Sequence, residues 1–185
     1  MCQAGIVTSR EDFNLFLKRD VAHSLTNVDL PLLAHAWRGE VDLAELDQLS
    51  WATRPTRQLR DAAEKIGRQQ KRVFRETWNI SIPNLPYTQS PVVTGALLKA
   101  AEVDLPSAAW SLAFQTYSAL TQASLKLLPL GPRATQGLLT DALAAIAPRL
   151  EPALELPMED IGSFNPVWDV AAAAHERAAA RLFLS

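Results

Sequence analysis

Apolar residues recur at intervals of three and four along most of the chain, and this spacing predicts amphipathic helices. The longest such pattern covers residues 106–128, and we expect this helix to be the central one, touched from several sides. No stretch alternates apolar and polar residues in the way that predicts a strand. The sequence therefore predicts an all-α fold, a single-domain helical bundle of about seven or eight helices over residues 1–185.

Capping residues and prolines mark where these helices begin and end. Thr8 with Glu11 predicts a capping box at the start of the first helix, and Gly39 ends the second. The prolines fall between periodic segments or near their ends, where they interrupt no helix. The predicted helices cover about residues 9–25, 30–38, 42–49, 56–78, 91–101, 106–128 and 138–146, with one more after residue 165. Loops are predicted at 79–89 and 151–163.

Composition narrows the class of protein. The chain has 185 residues and a formal net charge of −2, so no global positive field recruits nucleic acid. Its one cysteine, Cys2, cannot form an internal disulfide, which agrees with a reducing compartment. The first 25 residues lack the apolar core of a signal peptide, and no run approaches the ~18 apolar residues of a membrane span. We expect a cytoplasmic protein without a membrane segment.

The sequence lacks the residue spacings of common catalytic and metal-binding motifs. His175-Glu176 lacks the second histidine of a zinc-protease helix, and residues 131–137 lack the Gly-Lys-Ser/Thr of a phosphate loop. No metal-ligand spacing relates Cys2 to the three histidines, His23, His35 and His175. The basic residues of the helix at 56–78 are interpreted as a solvated face in preference to a site for an acidic partner. We therefore expect no catalytic, cofactor-binding or metal-binding residues, and no enzyme.

Residues 158–185 carry the most specific pattern. After an acidic turn, Asn165 can cap a helix that has Pro166 in its first position. A narrow apolar stripe follows, made of Val167, Val170, Ala171, Ala174, Ala178 and Leu182. Alanines bury little area, so this helix needs another surface to hold it. Packing on the protein's own core and docking on a partner fit this pattern about equally well.

The same residues resemble the C-terminus of the urease accessory protein family UreF, with its I-G-S-F-x-P turn, a helix carrying His-Glu, and R-L-F-x-S at the end. The matching residues are Ile161, Gly162, Ser163, Phe164, Pro166, His175, Glu176, Arg181, Leu182, Phe183 and Ser185. The resemblance extends to Asp29-Leu30-Pro31 with Trp37, to residues 91–96, and to the Leu128–Gly131 turn, and so covers the chain from about Gly5 onward.

The resemblance implies a non-catalytic adaptor in nickel insertion into urease. Such a protein binds the UreD/UreH-type accessory protein, forms a homodimer within that complex, recruits the UreG-type GTPase and serves the urease apoenzyme. The matched residues from Ile161 to Phe183 would be its partner-binding residues, and 158–185 its docking segment. Two alternatives remain open. One is direct regulation of GTP hydrolysis by a basic residue such as Arg181, and the other is a helical scaffold unrelated to urease.

Two departures from the family pattern affect this expectation. The N-terminal motif of the Leu-Pro-x-Gly-Gly/Ala-Phe type is absent, so we expect either a start codon assigned late or a form shortened at the N-terminus. Functions that depend on that segment are in question. Pro132 also stands where the family usually has glutamine, which changes the chemistry of that turn.

Overall fold

A computed structural model of the protein describes residues 7–162; residues 1–6 and 163–185 lie outside the described part. Its first helix, α1, joins α-helical Arg10–Phe16, Ala22–Ser24 and Leu30–Arg38 through π-helical Leu17–Val21 and Leu25–Asp29. The helices that follow are α2 (Leu43–Ala52), α3 (Arg57–Trp78), α4 (Ser90–Ala100), α5 (Leu105–Leu127) and α6 (Pro132–Leu154), and a 3-10 turn covers Met158–Asp160. No strand occurs between residues 7 and 162, and the all-α prediction is confirmed. None of these helices is both long and apolar enough to cross a bilayer.

The cap of α1 differs from the predicted one. Ser9, and not Thr8, is the capping residue, and its side chain accepts the Asp12 N–H at 3.1 Å. Asp12 closes the box by accepting the N–H groups of Thr8 and Ser9 at 3.1 and 3.0 Å, together with the Thr8 hydroxyl at 2.9 Å. The hydrogen bonds from Thr8, with those from Ser9, lower the pKa of Asp12. The prediction of a Thr8–Glu11 box is therefore wrong by one residue.

Two separate helices were expected where the structure has the continuous α1. Pro31 has no N–H for the carbonyl of Asn27, four residues earlier, and a proline inside a helix usually breaks or kinks it. Here a wider π-helical turn precedes the proline, and the Leu30 N–H bonds the Leu25 carbonyl. The Asn27 carbonyl accepts the Gly162 N–H instead, at 3.0 Å. The helix therefore passes the proline because a distant residue supplies the missing donor.

The last described helix is also longer than predicted. A loop was expected from residue 151, but α6 continues to Leu154 with Pro148 and Pro152 inside it. Both prolines are exposed and lie one turn apart, so the carbonyls that lose a donor face the solvent side. Leu150, Ala153 and Leu154 are buried on the opposite side of these turns, and their burial stabilises the helix there.

The core consists of two apolar clusters, and α1 contributes to both. The first cluster joins α1, over most of its length from Phe13 to Ala34, to α5 and α6. The second joins another side of α1, with Val28, Leu32 and Ala36, to α2 and α4. Leu30, Leu32 and Leu33 are fully buried between them. The central helix is therefore α1, and the expectation that α5 would be central is wrong. Although α5 has the longest pattern, it leaves Trp110 and Phe114 40% and 51% exposed.

Tyr117 ties α5 to a π-helical segment of α1. Its ring is completely buried, and its hydroxyl donates to the carbonyl of Leu17 at 3.3 Å. Burial disfavours the charged phenolate and raises the pKa of Tyr117 to about 12, an effect that nearby Arg149 partly opposes. The hydroxyl thus keeps its proton and remains a donor at any physiological pH.

Two glycines allow close approaches of main chain to main chain between helices. A Cβ atom on Gly95 of α4 would lie 2.3 Å from the carbonyl oxygen of Leu33 in α1. A Cβ atom on Gly67 of α3 would lie 2.1 Å from the carbonyl oxygen of Thr88, just before α4. Neither oxygen can move aside as a flexible side chain would. The spacing between α1, α3 and α4 therefore requires glycine at both positions.

We predict that Gly95→Ala lowers the free energy of unfolding by about 1–3 kcal/mol, because the added methyl group overpacks the crossing of α1 and α4. Gly137→Ala in α6 is the matched control, since its Cβ atom would meet nothing closer than the end of the Arg10 side chain at 3.8 Å. Alanine is the better helix former, so the control is expected to keep or gain stability. Urea denaturation of both variants measures the difference, and equal stabilities would show that the crossing can relax.

Candidate partner-binding site

The loop that leads to the C-terminal segment is held against the later part of α1. His35 Nε2 lies 3.0 Å from the carbonyl of Leu156, and Arg38 donates to the carbonyl of Leu154 at 2.8 Å. The histidine contact requires the tautomer in which Nε2 carries the proton, because a carbonyl only accepts. Arg38 also forms an ion pair with Glu155. Together with the bond from Gly162 to Asn27, these contacts hold the loop to one helix along its length.

Asn27 accepts the Gly162 N–H with its main-chain carbonyl, while its side chain contacts other residues of α1. The side-chain amide nitrogen lies 2.9 Å from the His23 carbonyl, 3.0 Å from His23 Nδ1 and 3.1 Å from Thr26 Oγ1. These contacts keep the side chain against the preceding turn. The anchor for Gly162 is thus a carbonyl made available by Pro31, and it does not depend on the identity of the Asn27 side chain.

Of the residues predicted to bind a partner, Ile161 and Gly162 lie in the described part of the chain. Ile161 is only 8% exposed and packs in the second cluster with Val28 and Leu32. Together the Ile161 side chain and the Gly162 amide fix where the C-terminal segment starts. The other predicted residues lie outside the described residues; they are Ser163, Phe164, Pro166, His175, Glu176, Arg181, Leu182 and Phe183.

A buried carboxylate organises the start of α4. Asp47 of α2 has no solvent exposure, and its oxygens accept the main-chain N–H groups of Tyr87, Thr88 and Gln89 at 2.6, 3.0 and 2.6 Å. Thr88 adopts a φ of 55°, which turns the chain so that all three donors converge. The carboxylate also lies at the positive end of the α4 dipole. This side chain holds the turn that leads into α4, whose first residue, Ser90, is 43 positions away from Asp47.

Gln89 extends this arrangement into a network that joins four helices. Its buried amide accepts Arg54 Nε at 3.1 Å and donates to the Arg60 carbonyl at 3.3 Å. Arg54 also pairs with Asp29 at 2.9 Å, and the two side chains are 14% and 18% exposed. Removing one member would leave another poorly solvated group without its partner, which costs more than the intact pair contributes. The network therefore fixes the relative positions of α1, α2, α3 and α4.

Arg60 departs from the prediction that the basic residues of α3 form a solvated face. Its guanidinium lies 4.1 Å from the centre of the Trp51 ring, and its Nε donates to the Arg54 carbonyl at 2.9 Å. Trp51 in turn stacks on Tyr87 with ring centres 4.8 Å apart. Other basic residues of α3 fit the prediction, since Arg57 and Arg68 form exposed pairs along the helix.

Lys71 of α3 also departs from the predicted solvated face, because its side chain bonds the loop at 79–89. Its ammonium group donates to the carbonyl of Pro83 at 3.0 Å. Partial burial lowers the pKa of Lys71, with a smaller contribution from Arg75, while the Asp47 carboxylate opposes the change. The loop at 79–89 is thus fastened from α3 as well as from α2.

The sequence carries a signal for the buried Asp47. Asp47 lies on the same stripe of α2 as Leu43, Leu46 and Ser50, and a lone acidic residue on an apolar stripe indicates a buried group with a defined partner. Arg54 and Gln89 gave no comparable signal, because the residues they bond are far away in the sequence.

An open groove lies between α3 and α5, with α1 as its floor and a volume of about 520 Å³. The Asp29–Arg54 pair and Ser90 also line it, so the network described above shapes part of its wall. The apolar residues of the groove are Val21, Leu25 and Val28 from α1, Leu59, Ala63 and Ile66 from α3, and Leu112, Ala119 and Leu120 from α5. Ile66 is 51% exposed, which shows how open the groove is.

Within residues 7–162, no three His, Cys, Asp or Glu side chains cluster in a way that could hold a metal ion. His23 and His35 both contact groups of the fold, as described above. In this part of the chain, the polar groups that form the contacts above position the helices and the loop that leads to the C-terminal segment.

Comparisons with known proteins identify relatives along nearly the whole chain. A family model described as UreF matches residues 7–143. A protein of Klebsiella pneumoniae (strain 342) is 33% identical over 195 residues, which cover 99% of this chain and 85% of the relative. A protein of Escherichia coli O157:H7 is 30% identical over 192 residues with the same coverage. One from Paenarthrobacter aurescens (strain TC1) is 26% identical over 190 residues, covering 98% and 85%. All three are named urease accessory protein UreF.

We predict that Asp47→Asn lowers the free energy of unfolding by about 2–4 kcal/mol, because an amide turns one N–H donor group toward the three main-chain donors. Asp104→Asn is the matched control. Asp104 caps α5 from an exposed position by accepting the Ser107 N–H at 2.9 Å, and asparagine caps a helix as well as aspartate does. Urea denaturation of both variants at neutral pH tests this. A loss as small for Asp47→Asn as for Asp104→Asn would contradict the assigned role.

Proposed function

The chain belongs to the UreF family, and we propose that it is an accessory protein in the maturation of urease that acts as an adaptor and catalyses no reaction itself. The observation that carries this proposal is the extent of the relationship, since relatives named urease accessory proteins match 98–99% of the chain. The likeness covers the helices that build both core clusters as well as the loop that anchors the C-terminal segment.

In this role the protein binds the UreD/UreH-type accessory protein, forms a homodimer within that complex and recruits the UreG-type GTPase in the cytoplasm. The assembly then delivers nickel, as cargo, to the urease apoenzyme. An adaptor needs surfaces that several proteins can cover. Exposed apolar side chains on more than one described helix support this, with Trp78 on α3 and Trp110 and Phe114 on α5.

We propose that the C-terminal segment is the principal contact with the UreD/UreH-type protein. The structure supports this because the segment starts from a fixed point, where Gly162 bonds α1 and Ile161 is buried. A fixed start lowers the entropy lost when the following residues bind a partner. The sequence adds Leu182 and Phe183, which offer large apolar side chains, and Arg181, which can make paired hydrogen bonds to a carboxylate.

Arg181→Ala is expected to weaken binding of the UreD/UreH-type protein by about 2 kcal/mol or more, the scale of an interface hot spot. The fold of residues 7–162 is expected to be retained, because Arg181 lies 19 positions beyond Gly162. Arg177→Ala is the matched control, since Arg177 lies one turn earlier and outside the family pattern. Calorimetric titration with the purified partner, together with a thermal melt of each variant, separates binding from stability.

The proposal fails if Arg181→Ala binds as tightly as the unaltered protein while both melt at the same temperature. Deleting residues 181–185 extends the test, because it should abolish the complex and leave the helical signal in circular dichroism intact. The GTP hydrolysis rate of the UreG-type partner distinguishes an adaptor from a direct regulator. An adaptor leaves the intrinsic rate unchanged, whereas a regulator that inserts Arg181 raises it and loses this effect in Arg181→Ala.

A further inference from the structure

The groove between α3 and α5 has the dimensions and lining of a seat for a helix. Along α3 it extends from Leu59 to Gln70, which corresponds to ~17 Å of helix axis. Each of its three sides carries a small residue, Ser24 on α1, Ala63 on α3 and Ala119 on α5. Small side chains on both surfaces let helix axes approach closely. The groove therefore suits a helix whose own contact stripe is made of small apolar residues.

A polar group in the groove also lacks a partner. Gln70 donates from its amide nitrogen to Thr94 Oγ1 at 2.9 Å, which fixes the direction of the side chain. Its amide oxygen is buried and has no hydrogen-bond partner among the described residues. A buried acceptor in this state costs free energy until a donor reaches it. An occupant that brings an N–H or O–H group to this end of the groove would remove that cost.

The described chain ends beside the groove floor. Gly162 bonds the carbonyl of Asn27, and the next residue of α1, Val28, lines the groove, as does Ser24 one turn earlier. Residues 163–185 follow from this point. As a helix, residues 166–182 would extend ~25 Å, which exceeds the length of the groove along α3. The segment is thus long enough to enter the groove from its anchor and to fill it.

We propose that the groove between α3 and α5 is the seat of the chain's own C-terminal segment, residues 163–185, in the free protein. The stripe of Val167, Val170, Ala171, Ala174 and Ala178 faces the groove, and the last turn with Arg181 is presented at its exit. This goes beyond the proposed function, because it concerns the protein without any partner. Covalent attachment at Gly162 favours this occupant over a second copy, since a tethered segment has an effective concentration in the millimolar range.

Thiol reactivity tests the proposal in the full-length protein. In a Cys2→Ser background, Ala119→Cys places one thiol in the groove, and Ala144→Cys places a comparable thiol on the exposed surface of α6, outside the groove. We expect a maleimide to modify the groove thiol about tenfold more slowly than the α6 thiol, because the seat must open before the reagent enters. Adding Ala174→Glu, which puts a charge on the contact stripe, should restore the faster rate.

Ala173→Glu is the matched control for Ala174→Glu, because neighbouring helical positions differ by about 100° and residue 173 faces away from the stripe. Ala173→Glu should leave the reaction of the groove thiol with the maleimide slow. Equal rates at the two thiols in the starting protein would overturn the proposal, as would an equal effect of the two glutamate substitutions. Slowing that increases with protein concentration would assign the groove to a second copy and would also overturn it. Failure of the Arg181→Ala binding test has no bearing on these rates.

Discussion

The close packing of α4 against α1 at Gly95 sets the geometry on which the rest of the described fold depends. The missing side chain lets α4 lie against the carbonyl of Leu33, and α1 can then be buried between both apolar clusters. Once α4 has this position, Asp47 of α2 can hold the turn that precedes it, and Gly67 can bring α3 against the Thr88 carbonyl in that turn. A buried carboxylate is tolerated there because three main-chain donors converge on it.

Pro31 links this fold to the proposed function. A proline that removes a helical donor leaves a carbonyl unpaired inside the protein, and a buried carbonyl needs a replacement. The Gly162 amide supplies it, so a defect in α1 becomes the attachment point of the loop that leads to the C-terminal segment. His35 and Arg38 bond the start of the same loop. Local backbone chemistry thus fixes where the segment proposed to bind partners begins.

Local sequence signals predicted most helices because capping and periodicity act over a few residues. They placed α3 and α5 within one or two residues, and Asn79 in the left-handed conformation ends α3 where the predicted helix ends. They failed where a distant contact decides the outcome. The continuity of α1 through Pro31 depends on Gly162, and the persistence of α6 past Pro148 depends on burial of Leu150 and Leu154. The Arg54–Gln89 network and the groove could not be predicted, because each joins helices whose arrangement only packing sets.

We propose that the C-terminal segment, which starts from its anchor on α1, carries the contact with the UreD/UreH-type protein. Amide hydrogen exchange of the full-length chain, alone and with the purified partner, tests it most directly because it reports every segment at once. We predict that the partner slows exchange most strongly in residues 179–185, while amides in the buried turns of α1 and α4 keep their rates. Slowing confined to the exposed faces of α3 or α5, with no change beyond Gly162, would contradict it.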